Sequence, residues 1–298
     1  MKFRFATVAL CFLGSTLLTR ASAEGVAPAV PMAGEQQTES ILPMELFGGR
    51  PVVSVTIDGK GPFKFILDTG ADVTVLDQGL AEELHLAVIG HKNLGSPAGP
   101  TPQDSKLIQV ARLSVGSAEL LNPECASDDI VGMFRMPDPP RGVLSATIFS
   151  GYVLTIDYAK SQLRLRAGSL PAADNSTVFD YELFQELPAV FIKVANQAVR
   201  VHIDTGSPGG FTLPQKYMET LPLASKPEEI GRARLVSGEL KVWGAKLNGS
   251  VTLGKFSFEN PEVEFLESVP VGNLGYRFLK AYAVSIDSKN KRIQFSQP

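Results

Sequence analysis

The stretch Phe65-Ile-Leu-Asp-Thr-Gly-Ala71 has a counterpart later in the chain, Val201-His-Ile-Asp-Thr-Gly-Ser207. Each copy sets an Asp-Thr-Gly tripeptide, beginning at Asp68 or Asp204, directly after a short apolar run. At average composition this tripeptide occurs roughly once in a few thousand positions. A single copy would indicate no more than a turn after a strand. Two copies in matching surroundings predict that the two carboxylates act together.

The segments around the two tripeptides also repeat each other. Residues 51–57 and the segment that ends at the first tripeptide have the pattern of two strands joined by a turn. Residues 188–194 and the segment that ends at the second tripeptide have the same pattern. Each half then closes on a similar pattern, in which Leu144 and Leu274 each stand thirteen residues before an Asp. These agreements predict an internal duplication.

Between these landmarks the chain has short segments rich in Val, Ile, Phe and Leu, which Gly and Pro interrupt. Little helical periodicity is present, so the pattern is typical of strands. We therefore expect an all-β fold of two homologous lobes. The expected divisions are a signal peptide at residues 1–23, a flexible leader at 24–40, an N-terminal lobe at 41–170 and a C-terminal lobe at 171–298.

The N-terminal segment has the pattern of a secretory signal. Lys2 and Arg4 precede an apolar stretch, residues 5–18, and Ala21-Ser-Ala23 matches the small-x-small cleavage pattern. The apolar stretch is shorter than a membrane-spanning helix needs. We expect an exported protein, periplasmic or secreted, that is not stably inserted in a membrane after the signal is removed.

Charge and cysteine content limit the class of protein further. Removal of residues 1–23 changes the formal charge from −3 to −6, because three basic residues and no acidic residue leave with them. A mildly acidic surface does not suit nucleic acid as a partner. Cys125 is then left without an intrachain disulfide partner, which favours a bacterial periplasm over a eukaryotic secretory route.

Two carboxylates at equivalent positions have a specific chemistry. If the lobes face each other about an approximate twofold axis, Asp68 and Asp204 meet at that axis. Two carboxylates a few ångströms apart cannot both ionise cheaply, so they share a proton and titrate as a coupled pair. The charged member can then deprotonate a water molecule while the protonated member donates a hydrogen bond to a carbonyl oxygen.

The residues beside the carboxylates suit a rigid site. Gly70 and Gly206 allow the backbone to turn sharply and to approach the carboxylates closely. The hydroxyls of Thr69 and Thr205 can bond to the backbone across the contact between the lobes. We expect these four residues to support the loops that carry the two carboxylates.

The motifs Asp68-Thr-Gly-Ala71 and Asp204-Thr-Gly-Ser207 resemble those of the aspartic proteases. The resemblance covers roughly residues 41–298 and is to a compact form of the two-lobed, pepsin-like architecture with retropepsin-like motifs, of a bacterial exported type. It implies two homologous β-barrel-like lobes with a catalytic cleft between them. It also implies an aspartic endopeptidase that hydrolyses peptide bonds without a cofactor or a metal. Its partner would be a peptide or protein substrate, and a monomer is expected because one chain carries both motifs.

The sequence departs from the family pattern behind the first loop. The family's apolar-apolar-Gly element is matched by Asn273-Leu-Gly275, whereas Val143-Leu-Ser145 replaces the glycine by serine. We expect the packing of the first loop against Ser145 to differ from that of its counterpart.

Two more departures affect function. The family often has Ser or Thr three residues after the catalytic Asp as a hydrogen-bond donor to its outer oxygen. Ser207 fits this role, whereas Ala71 cannot donate. Loss of a donor favours the neutral carboxyl, so we expect an activity optimum above about pH 3.5, less acidic than that of digestive relatives. The expected flap, residues 92–107, also lacks the tyrosine that pepsin-like flaps usually carry.

Two alternatives stay open at this point. The first is a catalytically silent exported protein that binds peptides and keeps the fold, and the departures at Ser145 and in the flap favour it. Asp68 and Asp204 are both present, which argues against it. The second is a hydrolase that uses the same pair of carboxylates on a non-protein amide.

Overall fold

The computed structural model describes residues 39–95, 103–134, 137–235, 238–267 and 269–297, together with the backbone of residues 7–8 and 13–14. The rest of the expected signal peptide and leader, apart from residues 39 and 40, lies outside the described residues. Among the helices of the described part, none combines the length and the apolar character needed to cross a membrane.

The first half of the chain is built of strands with a few short helices. The helices are α1 Gln78–Glu83, α2 Ile130–Met133 and a 3₁₀ helix, Ala146–Phe149. The strands are β1 Thr7–Val8, β2 Leu13–Gly14, β3 Ser40–Pro43, β4 Glu45–Phe47, β5 Arg50–Ile57, β6 Lys60–Asp68, β7 Thr74–Asp77, β8 Val88–Gly95, β9 Gln103–Gln109, β10 Arg112–Val115, β11 Ala118–Leu121, β12 Glu124–Asp128, β13 Gly142–Ser145, β14 Val153–Asp157 and β15 Gln162–Arg166.

The second half has the same character. Its helices are a 3₁₀ helix, Gln215–Met218, and α3 Tyr276–Leu279. Its strands are β16 Val178–Asp180, β17 Glu182–Phe184, β18 Leu187–Val194, β19 Gln197–Ile203, β20 Phe211–Pro214, β21 Glu228–Leu235, β22 Gly238–Lys246, β23 Ser250–Leu253, β24 Phe256–Glu259, β25 Glu262–Leu266, β26 Gly272–Leu274, β27 Ala283–Asp287 and β28 Arg292–Ser296.

Two curled sheets form the two lobes, and their topologies are the same. The first lobe has the strand order β11-β10-β5-β6-β13-β7-β12-β9-β8, with β4 on β5. The second lobe has the order β24-β23-β18-β19-β26-β20-β25-β22-β21, with β17 on β18. The two-residue strands β2 and β1 pair with the outer strands β8 and β21. The predicted internal repeat and the fold of two β-barrel-like lobes are therefore confirmed.

The centre of each sheet places an Asp-Thr-Gly tripeptide at the end of a buried strand. In the first lobe β6 pairs in parallel with β13, so that Leu144 lies opposite Leu67 and Ser145 opposite Asp68. In the second lobe β19 pairs in parallel with β26, and Leu274 lies opposite Ile203. Parallel strands that are covered on both faces favour continuous apolar runs. This explains why each carboxylate follows such a run.

A third sheet joins the lobes. Its order is β16-β28-β27-β14-β15-β3, so each half contributes three strands and β14 pairs with β27 at the middle. Thr155 lies opposite Ser285 in this central antiparallel pair, and their hydroxyl oxygens are 2.8 Å apart. Both side chains are buried, so the bond replaces water for both groups.

The central hydroxyl pair gives a prediction on stability. Ser285→Ala leaves the Thr155 hydroxyl buried without this partner, which should lower the free energy of unfolding by about 1–3 kcal/mol. Thr155→Val in the same chain removes the stranded hydroxyl, so the double variant should recover part of the loss. Urea unfolding of the two single variants and the double variant measures this. Strictly additive losses would show that the two hydroxyls do not interact.

Candidate active site

The loops that follow β6 and β19 are joined by reciprocal hydrogen bonds between the lobes. The Thr69 N–H donates to Thr205 Oγ1 at 3.0 Å, and the Thr205 N–H donates to Thr69 Oγ1 at 3.1 Å. Each hydroxyl in turn donates to a backbone oxygen of the opposite lobe, Thr69 to Ile203 at 2.5 Å and Thr205 to Leu67 at 2.7 Å. All four bonds are buried, so each loop fixes the position of the other.

The two glycines bring each loop against the carboxylate of the other. A Cβ on Gly70 would lie 2.8 Å from Asp204 Oδ1 and 3.1 Å from Asp68 Oδ1. A Cβ on Gly206 would lie 2.2 Å from Asp68 Oδ2. Any side chain at either position would displace a carboxylate. Glycine is therefore required at both positions, because only a residue without a side chain allows this close approach. The two carboxyl groups face each other between the two loops.

Both carboxylates are fully buried. Burial is the largest influence on Asp68 and the charge of Asp204 is the next, and together they hold the pKa of Asp68 well above its usual range. The N–H groups of Gly70 and Gly206 and the charge of Arg50 act in the opposite direction. The Gly70 N–H donates to Asp68 Oδ1 at 2.7 Å. The balance favours the protonated form of Asp68.

A buried arginine lies beside this pair. Arg50, the first residue of β5, donates from Nε to the carbonyl oxygen of Gly206 at 2.8 Å. Burial lowers its pKa to about 10, while the charges of Asp68 and Asp204 raise it. Arg50 therefore stays cationic at neutral pH. It places a positive charge near the pair and binds the second loop to the first lobe.

Comparison with known protein families gives a match to the family described as Aspartyl protease over residues 53–147 and 190–278. The two matched regions together make up more than half of the chain, and each contains one Asp-Thr-Gly tripeptide. The chain belongs to the aspartyl protease family. A comparison with curated proteins gave no match.

The two carboxylates of this aspartyl protease have unequal neighbours. Asn273, on β26, donates from Nδ2 to Asp204 Oδ2 at 2.7 Å. The repeat places Val143 of β13 at the equivalent position, since Val143 lies opposite Ile66 and Asn273 opposite His202. A valine has no donor for a carboxylate. Asp204 therefore accepts a side-chain hydrogen bond from β26, whereas the equivalent position of β13 offers no such bond to Asp68.

Ser145, which departs from the family pattern, is accommodated because the serine and its small partner residue have exchanged places between the two lobes. Ser145 Oγ donates to the carbonyl oxygen of Ala71 at 2.7 Å. In the second lobe the equivalent pair is Gly275 and Ser207. A Cβ on Gly275 would lie 2.7 Å from the Ser207 carbonyl oxygen and 2.9 Å from its Oγ. One lobe carries the hydroxyl on the strand and the other carries it on the loop, which fits the expected difference in packing.

The expected role of Ser207 as a donor to Asp204 stays a prediction. Ser207 is buried, and its Oγ accepts a hydrogen bond from the Gly209 N–H at 3.3 Å.

The structure brings together Asp68, Asp204 and all five predicted supporting residues. Sequence reasoning missed Arg50 and the contact of Asn273. Alignment of the two halves of the sequence contains a signal for each residue. It places Arg50 against Leu187 and Asn273 against Val143, so a charged or polar residue stands where the other half is apolar.

A β-hairpin stands in each lobe of this aspartyl protease. The expected flap corresponds to β8 and β9, and residues 96–102 at its turn lie outside the described residues. The second lobe has the equivalent hairpin of β21 and β22, which the sequence analysis did not identify. Each hairpin has a bulge at an exposed isoleucine, Ile89 or Ile230. The repeat therefore extends to the flap.

Among the described residues, neither a metal-binding cluster nor a reactive thiol accompanies the carboxylate pair. No group of three or more His, Cys, Asp or Glu side chains in that part of the chain is arranged to hold a metal ion. Cys125 is buried, and burial raises the pKa of its thiol to about 12. A thiol of this kind is inert because it does not ionise at ordinary pH.

The raised pKa of Asp68 predicts how stability depends on pH. The folded protein keeps a proton that the unfolded chain releases above about pH 4, so the free energy of unfolding falls as the pH rises from there. Asp68→Asn removes this titration. The variant should be more stable than the parent protein at pH 7, and the gain should vanish near pH 3.5.

Urea unfolding at both pH values measures the difference. Glu119→Gln serves as the control, since Glu119 is exposed and lies in an exposed ion pair with Arg112; it should show no comparable gain. A loss of stability in Asp68→Asn at pH 7 would contradict the prediction.

Proposed function

We propose that the protein is an aspartic endopeptidase, which hydrolyses peptide bonds through a water molecule activated by Asp68 and Asp204. Two buried carboxylates that face each other, on loops fixed by reciprocal bonds between the lobes, support this function. Membership of the family supports a protease and a peptide substrate. Rigid placement matters to such chemistry, because a displacement of about 1 Å can lower the rate about 100-fold.

The surroundings of the two carboxylates support separate roles for them. Asp68 is the acid, since its pKa is raised by burial and by the charge of Asp204. Asp204 is the base, since the Asn273 amide stabilises its ionised form through a charge-assisted hydrogen bond. Asp204 removes a proton from the water, whose oxygen attacks the peptide carbonyl carbon. Asp68 donates its proton to the carbonyl oxygen as the negative charge develops there.

The tetrahedral intermediate then breaks down with the proton flow reversed. The proton on Asp204 passes to the amide nitrogen as the C–N bond breaks, and Asp68 recovers its proton from the hydroxyl of the intermediate. The pair returns to its starting state with one proton. The substrate would lie extended between the lobes and pair with the chain as a strand does.

The protein is proposed to act after export. The basic, apolar and small-residue pattern at residues 1–23 supports a secretory signal. A periplasmic or secreted monomer would need no partner subunit for the carboxylate pair, because both Asp-Thr-Gly loops belong to one chain.

Substitution of either carboxylate tests the proposed activity. The purified protein, incubated with a peptide library between pH 3 and 7, should cleave peptides, and Asp68→Asn and Asp204→Asn should each lower kcat at least about 100-fold. Glu119→Gln should cleave like the parent protein. Binding of peptides without cleavage would identify a silent binding protein instead, and activity that survives both substitutions would reject the carboxylate pair.

Asn273 gives a prediction on the pH profile. Asp204 faces Asp68, Arg50 and Tyr158, and none of these groups is changed by Asn273→Leu. The variant loses a donor to the ionised carboxylate, so Asp204 should take up a proton at higher pH. The acid limb of kcat/KM should therefore move upward by about one to two pH units.

Above about pH 5, titration of the neighbouring His202 does not contribute to this pH profile. Burial lowers its pKa to about 4, so its ring is neutral there. Asn273→Asp keeps the size of the side chain and adds a like charge, and it should move the limb further in the same direction. If kcat/KM falls equally at every pH in Asn273→Leu, the residue acts through packing and not on the base.

A further inference from the structure

Arg50 lies where a tight turn of the first lobe meets the second lobe. Phe47 of β4 lies opposite Arg50 of β5, so that Gly48 and Gly49 form a two-residue turn between the strands. A Cβ on Gly49 would lie 2.5 Å from the ring of Tyr276, which belongs to the second lobe. The turn therefore fits closely against that lobe, and Arg50, the next residue, lies at the boundary between the lobes.

The side chain of Arg50 is enclosed by groups of both lobes. The exposed fraction of the residue is 5%, and its Nε donates to the Gly206 carbonyl oxygen of the second lobe at 2.8 Å. The guanidinium carbon lies 5.7 Å from the centre of the Phe134 ring in the first lobe. A buried charge is costly unless groups of opposite charge stabilise it. The anionic groups that act on Arg50 are Asp68 and Asp204.

The contact with Gly206 limits the distance between the cation and the carboxylates. A Cβ on Gly206 would lie 2.2 Å from Asp68 Oδ2. The Cβ and the carbonyl oxygen of one residue lie at most about 4 Å apart, so the Arg50 Nε lies within about 9 Å of Asp68 Oδ2. In buried surroundings, a unit charge at this distance changes the pKa of a carboxyl group by about one unit. Arg50 is therefore close enough to influence the ionisation of the pair.

The charge of the pair is set by burial and by its titratable neighbours. Burial disfavours ionisation of Asp68, the charge of Asp204 acts in the same direction, and the charge of Arg50 opposes both. Tyr158 follows β14 and faces both carboxylates, and its ring lies beside that of Tyr276 on α3. Burial raises the pKa of the Tyr158 hydroxyl, so this group stays neutral. The cation therefore acts against the effect of burial.

The internal repeat has a different residue at the position equivalent to Arg50. Leu187 begins β18 opposite Phe184, as Arg50 begins β5 opposite Phe47. Leu187 is buried and carries no charge. The two equivalent positions thus hold one cation, which balances one negative charge on the pair. This balance favours the pair with a single proton, because burial without a cation favours two protons and a second cation would favour none.

We propose that Arg50 is a positioning residue whose charge keeps the buried pair singly ionised at neutral pH, while its Nε holds the loop of Gly206 in place. This inference rests on the proposed function, in which the pair needs one carboxylate as base and one carboxyl group as acid. The pair titrates in two coupled steps. A nearby cation lowers the pKa of both steps, so loss of the cation moves both steps to higher pH.

Replacement of Arg50 with and without its charge tests this inference. In Arg50→Gln and Arg50→Met, both limbs of the pH profile of kcat/KM should move upward by about one pH unit. Arg50→Lys keeps the charge but lacks the planar guanidinium, so kcat should fall while both limbs stay where the parent protein has them. Arg112→Gln, the matched control, removes an exposed cation whose charge the solvent screens, and neither limb should move.

NMR of the carboxyl carbons of Asp68 and Asp204 follows the two steps without a substrate, so it separates this inference from the proposed function. If no peptide is cleaved but the steps move upward in the uncharged variants and not in Arg50→Lys, the protease function fails and the role of the charge stands. If peptides are cleaved and the steps stay in place in the uncharged variants, or move equally in Arg50→Lys, the role of the charge is refuted and the protease function stands.

The parent protein gives a test that does not depend on the folding of any variant. Its carboxyl signals should report one proton on the pair at pH 7. Two protons on the pair at that pH, or none, would refute the inference, because the cation would then not maintain a single negative charge.

Discussion

The reciprocal hydrogen bonds of Thr69 and Thr205 are the interaction on which the rest of the site depends. Two carboxylates buried side by side repel each other and would separate if their loops were free to move. Each threonine accepts an N–H from the opposite loop and donates its hydroxyl to the opposite lobe. The four buried bonds hold the loops in place, so that burial and the charge of Asp204 raise the pKa of Asp68 and the loops do not move apart.

The molecule is symmetric in its backbone and asymmetric in its chemistry. The strand orders of the two lobes coincide, while Asn273 supplies a donor to one carboxylate where the other half has Val143. A symmetric pair would have no reason to keep its proton on one side. Arg50 adds to the inequality, because its bond to the Gly206 carbonyl ties down the second loop. The proposed division of roles between the carboxylates rests on this difference between their neighbours.

Sequence reasoning predicted the features that follow from local pattern and repetition. The buried runs before Asp68 and Asp204, the duplication and the two β-lobes were all visible in apolar periodicity and spacing. Arg50 was missed because an arginine at the start of a strand is ordinarily exposed, and its burial depends on a carbonyl from the other lobe. Asn273 was read as an apolar position of a family element.

The sheet that joins the lobes has a consequence for the integrity of the chain. The two halves are held by a ladder between β14 and β27, centred on Thr155 and Ser285, as well as by the segment of residues 167–177 that connects them. A cut in that segment would leave every bond of the ladder intact. The covalent link thus serves mainly to keep the two halves at high effective concentration. The protein is in this sense a dimer of unlike halves that share one polypeptide.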